Sequence, residues 1–221
     1  CRAIQPDLVH AWGSEKGASL IASRLPYPYL VTIQGLFAWL AQLVKLPPYD
    51  RFVERVERIS LNRAPVVTAE SNFAVRFLET HFPRTKARQA EHAPNPVFRQ
   101  VVRRPATRPI QFVCVGSLSY LKGTDLLFAA LDRVGAELDF KLKIITNPNL
   151  QYLTSLRGTI SDRTWHRTEF KHHLLPHEVA EELATATMLL MPTRADNSPN
   201  AVKEAVVAGV PVVASSVGGI P

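Results

Sequence analysis

Hydrophobic and polar positions along the chain follow two rhythms. Short apolar runs rich in Val, Ile, Leu and aromatic residues predict strands, and longer stretches with apolar residues three and four positions apart predict helices. In the stretch 51–62, for example, Phe52, Val56 and Ile59 fall on one stripe of a helix, which Pro65 then stops. The predicted strands are Leu8–Trp12, Tyr29–Ile33, Val66–Ala69, Arg88–His92, Ile110–Val115, Phe140–Thr146, Trp165–Phe170, Met188–Met191 and Val212–Ser215. The predicted helices are Lys16–Arg24, Arg51–Asn62, Asn72–Thr80, Thr124–Val134, Leu150–Arg157, His177–Thr185 and Pro199–Ala208.

This alternation of strands and helices predicts an α/β protein with two Rossmann-like, doubly wound units. The strands at 111–115 and 188–191 are almost wholly apolar, as expected of parallel strands covered on both faces. The stretch 96–109 holds three prolines and four arginines without a clear period, which is typical of a linker or hinge. We therefore predict a first domain over 1–97, a hinge over 98–109 and a second domain over 110–221.

The composition is that of an ordinary globular protein. Apolar residues make up 46% and charged residues 20% of the 221 residues, which excludes an extended disordered chain. Apolar stretches run to about eight residues, well short of the roughly 18 that a membrane-spanning helix needs. The two cysteines, Cys1 and Cys114, form neither a disulfide framework nor a metal-ligand spacing. A reducing, cytoplasmic setting is therefore the expectation.

The positive charge is unevenly distributed. Residues 1–110 hold 16 Lys and Arg against 8 Asp and Glu, whereas residues 111–221 hold 10 against 11. Such asymmetry is compatible with an anionic partner, which would be a nucleic acid, a membrane surface or a phosphorylated substrate. A solvated basic face without a partner is equally compatible with it.

The loop after the strand at 110–115 is the first candidate site. Gly116 would let the backbone turn tightly and approach a ligand. The helix that starts near Thr124 would present free N–H groups to an anion, and Lys122 would add a positive charge suited to phosphate. The loop matches neither the Walker pattern nor the dinucleotide fingerprint. An ordinary strand–helix turn with a surface lysine is the alternative.

A second polar cluster lies between the last two predicted strands. Ser198 is predicted as the N-cap of the helix that follows, and Pro199 as its first residue. Asp196 lies in the loop before this helix, and Glu204 lies about a turn and a half inside it. The two carboxylates would converge only if the loop folds back over the helix start. The alternative is that these residues cap the helix and that Asp196 complements its dipole.

Together these segments resemble the family-4 retaining glycosyltransferases, which have the GT-B fold. The Lys-Gly loop and the Asp-x7-Glu segment carry the resemblance, together with the stretches at 209–214 and 217–221. Four N-terminal segments resemble the family's acceptor-domain and hinge motifs in the same order. They are Pro6–Gly13, Val31–Gly35, Val67–Ser71 and Pro94–Val97. The resemblance covers nearly the whole chain and is most specific over 192–221.

The resemblance implies transfer of a sugar, with retention, from a nucleoside-diphosphate sugar to a hydroxyl of a glycan or lipid-linked acceptor. Three residues are implied as catalytic: Lys122 would contact the donor diphosphate, Glu204 would hold the ribose, and Asp196 would face the donor sugar. The implied donor-binding residues are Gly116, Ser117, Lys122, Arg194, Asn197, Ser198, Pro199 and Glu204. Neither a metal nor any other cofactor is expected, because Lys122 and helix N-termini would neutralise the diphosphate.

Three positions depart from the family pattern. Asp196 stands where the family usually has Glu, and its side chain is one methylene shorter. Ser117 stands where Arg is often found, which leaves more of the diphosphate charge to Lys122, with Arg194 as a helper. Gln34 stands where the family often has His, so no role is transferred to it. These departures keep a catalytically inactive homologue as an alternative.

The resemblance also implies a chain that lacks both ends of the family's fold, so that both predicted domains are incomplete. The expected location is the cytoplasm, and peripheral contact with the inner face of the membrane is compatible with it. A nucleic-acid partner is not expected, because the basic stretch lacks interleaved aromatic residues for base stacking. The alternatives are a non-catalytic module for an anionic membrane or nucleic acid, a sugar-nucleotide epimerase and a phosphorylase.

Overall fold

The computed structural model describes residues 3–105, 107–147 and 149–221, and it divides into two units. The first unit ends at His92, and the second runs from Ala93 to Ile220. Each unit is built on a parallel β-sheet with helices packed against it, which confirms the predicted α/β class. The division lies five residues before the predicted domain boundary at residue 97. Cys1 lies outside the described residues.

The sheet of the first unit has its strands in chain order. The strands are β1 (Val9–Trp12), β2 (Tyr29–Ile33), β3 (Val66–Ala69) and β4 (Lys86–Gln89). The helices are α1 (Ala18–Ala22), α2 (Phe37–Leu43), α3 (Pro48–Leu61) and α4 (Asn72–His81). Ala11, Val31, Val67 and Ala87 stand in one row across the four strands, and all are buried. They share one core with buried residues of all four helices, because right-handed crossovers in a sequentially ordered sheet place successive helices on the same face.

Two predictions for the first unit can be compared directly with its structure. Ser71 caps α4 as predicted, because its hydroxyl oxygen accepts a hydrogen bond from the Ala74 N–H at 3.2 Å. The predicted strand Arg88–His92 is placed too late, since β4 pairs with β3 from Lys86 to Gln89. Pairing ends there because β3 gives way to the N-cap of α4 two residues after Ala69.

Helix α3 forms where the periodicity predicts a helix, but its apolar stripe faces outward. The helix starts earlier than predicted because Pro48 occupies its first turn, where proline is well tolerated. Phe52 and Ile59 are 63% and 47% exposed, and Val56 is half-buried. The buried residues of α3 are Val53, Glu57, Ser60 and Leu61. The helix therefore turns a side with two polar members toward the core and leaves most of the predicted stripe in solvent.

Glu57 explains why α2 forms although the sequence pattern does not predict it. No side chain of α2 or its N-cap residue caps the start of this helix. Instead, the fully buried Glu57 carboxylate accepts a hydrogen bond from the Ala38 N–H at 2.8 Å. Its other oxygen accepts one from the Ser14 hydroxyl at 2.6 Å. A cap supplied from 19 residues away leaves no local signal in the sequence.

Replacing Glu57 with glutamine is expected to make the stability of the first unit less sensitive to pH. Burial raises the pKa of the Glu57 carboxyl above its ordinary value of 4.5, and the nearby Glu15 charge adds to this. The unfolded chain therefore ionises first, and the folded state loses stability as pH rises through the interval between the unfolded and folded pKa values. The glutamine amide oxygen can accept from the Ala38 N–H, and its NH2 group can donate to the Ser14 hydroxyl oxygen, so both contacts remain without a charge. Urea unfolding should therefore show no such loss.

Alanine at the same position is the matched comparison. It leaves the Ala38 N–H and the Ser14 hydroxyl without their acceptor and opens a cavity. We expect it to lower the free energy of unfolding by about 2–4 kcal/mol at pH values below the unfolded pKa of the carboxyl, and by less at higher pH, where the wild type has itself lost stability. A glutamine variant with the pH dependence of the wild type would contradict a charged, buried Glu57.

The sheet of the second unit has the strand order β7-β6-β5-β8-β9, with every pair parallel. Its strands are β5 (Ile110–Val115), β6 (Phe140–Ile145), β7 (Thr168–Lys171), β8 (Met188–Met191) and β9 (Val212–Ala214). Its helices are α5 (Thr124–Val134), α6 (Leu150–Arg157), α7 (Asp162–His166), α8 (Pro176–Thr185) and α9 (Asn200–Val207). A 3-10 helix covers Pro96–Gln100.

Helices cover both faces of this second sheet. Phe112 of β5 packs in one core with Leu127 of α5, whereas its neighbour Val113 packs in the opposite core with Leu183 of α8. β5 is the central strand, and β6 and then β7 lie on one side of it. The next strand in the chain, β8, pairs with the other side of β5. The strand order therefore reverses between β5 and β8. In such sheets ligands bind beyond the carboxyl ends of the strands at this reversal.

The predicted strand Trp165–Phe170 is only partly correct. Trp165 belongs to α7, and β7 begins at Thr168. Ser161 starts α7 by accepting a hydrogen bond from the Thr164 N–H at 3.3 Å, and Asp132 holds the Ser161 hydroxyl at 2.5 Å. The neighbouring threonine and tryptophan favour a strand by propensity, and the cap overrides that preference.

The segment predicted as a hinge packs against the second unit over residues 98–104. Phe98 is buried in the core that contains α8 and α9. Arg103 donates a hydrogen bond from its guanidinium to the Leu183 carbonyl at 2.6 Å, and the Arg104 N–H donates to the Ala184 carbonyl at 2.9 Å. The many prolines and arginines obscure this attachment in the sequence, because its apolar contacts come from Phe98 and the partly buried Val101 without a helix or strand period. A hinge function for this segment stays a prediction.

Candidate functional site

Two loops of the second unit meet at the strand-order reversal. One, residues 116–123, follows β5, and the other, residues 192–199, follows β8. The first begins with Gly116, whose N–H donates to the Ile145 carbonyl at 3.0 Å. Its φ of +148° lies in a region that residues with a Cβ rarely adopt. Glycine is therefore needed for the chain to turn away immediately after the strand.

The loop after β5 is held in a tight turn by its own hydrogen bonds. The Ser119 hydroxyl oxygen accepts from the Lys122 N–H at 3.1 Å. The Thr124 hydroxyl oxygen accepts from the Ser119 N–H, also at 3.1 Å. Gly123 closes the turn with a φ of +68° and forms the N-cap of α5. The turn thus fixes the backbone from which the Lys122 side chain extends.

Backbone contacts fasten the two loops together. The Arg194 N–H and the Thr193 hydroxyl both donate to the Leu121 carbonyl, at 2.7 Å and 3.0 Å. Gly123 lies directly against Pro192, so that a Cβ at Gly123 would overlap the Pro192 carbonyl oxygen. The close approach is possible because residue 123 has no side chain.

This arrangement brings Lys122 and Asp196 into an ion pair. The Lys122 ammonium lies 2.5 Å from the nearer Asp196 carboxylate oxygen, although 74 residues separate them in the chain. The Asp196 side chain is 11% exposed and that of Lys122 is 32% exposed. The Asp196 carbonyl also accepts a hydrogen bond from the Gly219 N–H at 3.1 Å, which ties the segment after β9 to the same point.

Arg194 is engaged by protein groups. Its guanidinium donates two hydrogen bonds of 2.7 Å to the Asp125 carboxylate and a third, also of 2.7 Å, to the Tyr120 carbonyl. It also stacks on the Tyr120 ring, 3.9 Å from the centroid. The hydrogen bonds from Arg194 hold the pKa of the Asp125 carboxyl below its ordinary value. The geometry therefore gives Arg194 a bracing role between the two loops.

Glu204 lies in the second turn of α9 and is half-buried. Burial raises the pKa of its carboxyl, and the charge of Lys203 partly opposes this. Among the described residues, no hydrogen bond joins Glu204 to Lys122 or Asp196. A carboxylate that protein donors leave unoccupied is suited to accept hydrogen bonds from a ligand's hydroxyl groups.

The helix that follows Asp196 begins one residue later than predicted. Asn200 is its first residue, and Pro199 is the N-cap with an extended backbone. The predicted N-cap, Ser198, lies one position before it, and no side-chain hydrogen bond caps this helix. Asn197 is buried, at 6% exposure. Ser198 and Pro199 therefore belong to the loop that carries Asp196.

A pocket of about 250 Å³ opens beside Gly116 at the carboxyl ends of β5, β6 and β7. Its lining residues are Val115, Gly116, Ser117, Ile145, Thr146, Asn147, His173, Leu174 and Val179. His172 fastens two of its walls, because its Nδ1 lies 3.1 Å from the Thr146 carbonyl. The neighbouring His173 has a φ of +55°, a conformation uncommon for residues other than glycine. A lining of apolar side chains with the polar Ser117, Thr146 and Asn147 suits this pocket to a flat, partly polar ring.

The residues that the structure describes contain no group of three or more His, Cys, Asp and Glu side chains placed to hold a metal ion. None of their helices is long and apolar enough to cross a membrane. Cys114, on β5, is a free cysteine, and burial raises the pKa of its thiol to about 12.

Family models match the sequence in two parts, and the structure likewise divides into two units. Residues 109–221 match the model described as glycosyl transferases group 1, which is more than half of the chain. The chain belongs to the group 1 glycosyltransferases. Residues 1–99 match the model described as glycosyltransferase family 4, so the two matches together confirm the resemblance stated from the motifs. No curated protein matches this sequence significantly.

Solved structures place this group 1 glycosyltransferase in the GT-B fold. Sucrose-phosphate synthase from Thermosynechococcus elongatus superposes with a TM-score of 0.81 at 18% identity, over 97% of this chain and 57% of its own. HepE from Anabaena in complex with UDP and glucose superposes with a TM-score of 0.75 at 18% identity, over 99% of this chain and 61% of its own. A UDP-forming α,α-trehalose-phosphate synthase from Burkholderia xenovorans superposes with a TM-score of 0.65 at 14% identity, over 99% of this chain and 61% of its own. The chain thus spans about three fifths of the length of these proteins.

The sequence motifs of this glycosyltransferase locate the two loops but miss the pocket. Thr146, Asn147, His173 and Leu174 fall outside every motif in the sequence analysis. The one local signal is the pair of adjacent histidines at 172 and 173, directly after β7. This signal is weak because such a pair has many structural explanations.

Proposed function

We propose that this group 1 glycosyltransferase transfers a sugar, with retention, from a nucleoside-diphosphate sugar to an acceptor hydroxyl. The observation that carries the proposal is the ion pair between Lys122 and Asp196 at the strand-order reversal of the second unit. It places one cation and one partly shielded carboxylate where ligands bind in parallel sheets of this kind.

Lys122 would hold the donor diphosphate. The hydrogen-bonded turn at Ser119 positions its backbone, and α5 begins two residues later, so N–H groups of the first turn add positive potential. In the absence of donor, Asp196 neutralises the ammonium. When a diphosphate binds, Lys122 would be shared with its oxygens, and Asp196 would turn toward hydroxyl groups of the donor sugar. Preorganised positive charge stabilises the diphosphate as its leaving oxygen gains negative charge.

The nucleoside would occupy the remaining part of this edge. The base would occupy the pocket beside Gly116, whose apolar wall would support a ring and whose polar lining residues include Ser117 and Asn147. The half-buried Glu204 would accept hydrogen bonds from the ribose hydroxyl groups. Asn197, Ser198 and Pro199 would flank the sugar, with Gly116 and Ser117 beside the diphosphate. Arg194 would keep the two loops in place through Asp125.

In the proposed reaction, the bond between the anomeric carbon and the diphosphate oxygen breaks. The acceptor oxygen bonds to that carbon from the same face, and the acceptor proton leaves with the nucleoside diphosphate. The donor charge is neutralised by Lys122 and helix N-termini, so the proposal includes no metal or other cofactor. We place the reaction in the cytoplasm, with a glycan or lipid-linked acceptor.

Calorimetric titration of the full-length protein with UDP, GDP and ADP tests the donor site. We expect one nucleotide to bind preferentially and the Glu204→Ala variant to bind it about tenfold to a hundredfold more weakly, because two ribose hydroxyl groups lose a charged acceptor. The same titration with the exposed Glu137→Ala variant is the matched control and should equal the wild type. Undiminished binding by Glu204→Ala would remove the ribose role, and no binding by the folded wild type would favour an inactive homologue.

A further inference from the structure

The outward side of α3 presents an apolar stripe to solvent. Tyr49, Phe52, Val56 and Ile59 follow one another at spacings of three, four and three, so they share one side of the helix. Tyr49 is 71% exposed, and Phe52 and Ile59 are 63% and 47% exposed. Three large exposed side chains in register on one helix differ from the scattered exposed apolar residues of most surfaces.

A row of arginines lies beside this stripe on the same outward side. Arg51, Arg55 and Arg58 are spaced at four and three, and Arg58 pairs with Glu54. Arg51 and Arg55 are exposed, and no ion pair among the described residues involves either of them. The half of the sequence that contains α3 also holds twice as many Lys and Arg as Asp and Glu. The stripe is therefore flanked by positive charge.

The opposite side of α3 anchors the helix in the first unit. Val53, Ser60 and Leu61 are buried, and Glu57 is held by the Ser14 hydroxyl and the Ala38 N–H. The outward side is consequently presented by a formed helix, so binding through it would not pay for helix formation. Apolar and aromatic side chains beside arginines on one helix face are typical of helices that lie in a membrane interface.

We propose that α3 docks this protein on an anionic lipid surface. Phe52, Val56 and Ile59 would enter the boundary between headgroups and acyl chains, with Tyr49 at its polar edge. Arg51 and Arg55 would keep their stems along the apolar region and place their guanidinium groups on lipid phosphates. Charge complementarity selects an anionic lipid surface over a neutral one. The inference does not rest on the proposed transfer reaction, because none of these residues belongs to the donor site.

Vesicle flotation of the full-length protein tests this docking surface. The probes are phosphatidylcholine vesicles and vesicles of phosphatidylcholine mixed equally with phosphatidylglycerol. We expect binding to the mixed vesicles alone, and its loss at about 1 M salt, where the screening length is roughly 3 Å. The Phe52→Ser/Ile59→Ser variant should lower the partition coefficient at least tenfold. Arg51→Gln and Arg55→Gln should each lower it about fivefold.

Two variants of equally exposed residues in the second unit are the matched controls. Leu150→Ser removes an apolar side chain that is 70% exposed, and Arg133→Gln removes an exposed arginine. Both should float like the wild type. The α3 variants should keep the urea midpoint and the nucleotide affinity of the wild type. Unchanged values show that the fold and the donor site are intact, so this test is independent of the test of the transfer reaction.

Three results would overturn the proposal. The wild type fails to float with the mixed vesicles, or it floats equally well after the substitutions in α3. In the third, the wild type forms dimers, the Phe52→Ser/Ile59→Ser variant is monomeric, and neither binds vesicles. A second copy of the chain would then cover the stripe.

Discussion

Replacing Lys122 with alanine is expected to lower kcat of the full-length protein about 10²–10³-fold, the effect typical of removing one preorganised group that stabilises charge in a transition state. The ammonium lies 2.5 Å from Asp196 on a turn held by the Ser119 hydroxyl. In the proposed reaction it faces the oxygen on which negative charge develops. Without it, the Asp196 carboxylate remains at the same place and repels the diphosphate. Release of the nucleoside diphosphate measures kcat and KM.

A double variant separates a direct role of Lys122 from mere neutralisation of Asp196. If the ammonium only balances that carboxylate, then combining Lys122→Ala with Asp196→Asn should restore the affinity for UDP. We expect the affinity to stay low, because the diphosphate still lacks its cation. Lys141→Ala, which removes an exposed lysine from β6, is the matched control and should bind UDP like the wild type. Full recovery in the double variant would contradict the assignment of Lys122 to the diphosphate.

Replacing Gly123 with alanine is expected to destabilise the second unit by about 3–4 kcal/mol, a large effect for one added methyl group. The φ of +68° alone costs a residue with a Cβ about 1–2 kcal/mol. The new Cβ would also overlap the Pro192 carbonyl oxygen, which is backbone and can yield only if the two loops separate. Separation would break the hydrogen bonds to the Leu121 carbonyl and move Lys122 away from Asp196. Urea unfolding and UDP titration of the variant measure the two consequences.

Gly158→Ala is the matched control for this substitution. Gly158 follows α6 with a φ of −68°, and a Cβ there meets nothing within 4 Å. Its unfolding free energy should stay within about 0.5 kcal/mol of the wild type. If Gly123→Ala unfolded at the same urea concentration as Gly158→Ala, the close approach of the two loops would be wrong.

The most regular elements agree with the sequence prediction residue by residue. The bounds predicted for β2, β3, β5 and β8 are those observed, as are those for α5 and α6. Each of these strands is a run of mostly apolar or β-branched residues bounded by Gly, Pro, Ala or polar residues. α5 begins after Gly123 and ends before Gly135, and glycine is common at helix ends. Signals of this kind act over a few residues, so they can be seen in one sequence.

Two parts of the fold that escaped prediction are stabilised from far along the chain. Helix α2 begins where Glu57 accepts its N–H, and the start of the second unit is anchored by burial of Phe98 against α8 and α9. The periodicity of α3 correctly predicts a helix but does not show which side is buried. That choice depends on the buried Glu57, which bonds to the Ser14 hydroxyl and to the Ala38 N–H in the first turn of α2.

The amino-acid sequence alone predicts the alternating strands and helices, the α/β class and the two loops that carry Lys122 and Asp196. How these loops meet depended on the strand order, because β8 pairs with β5 and so brings residues 74 positions apart to one edge of the sheet. The tertiary structure also hydrogen-bonds Arg194 to Asp125 and forms the pocket beside Gly116. Hydrophobic periodicity is a property of neighbouring residues, whereas contacts over such distances follow from packing of the whole sheet.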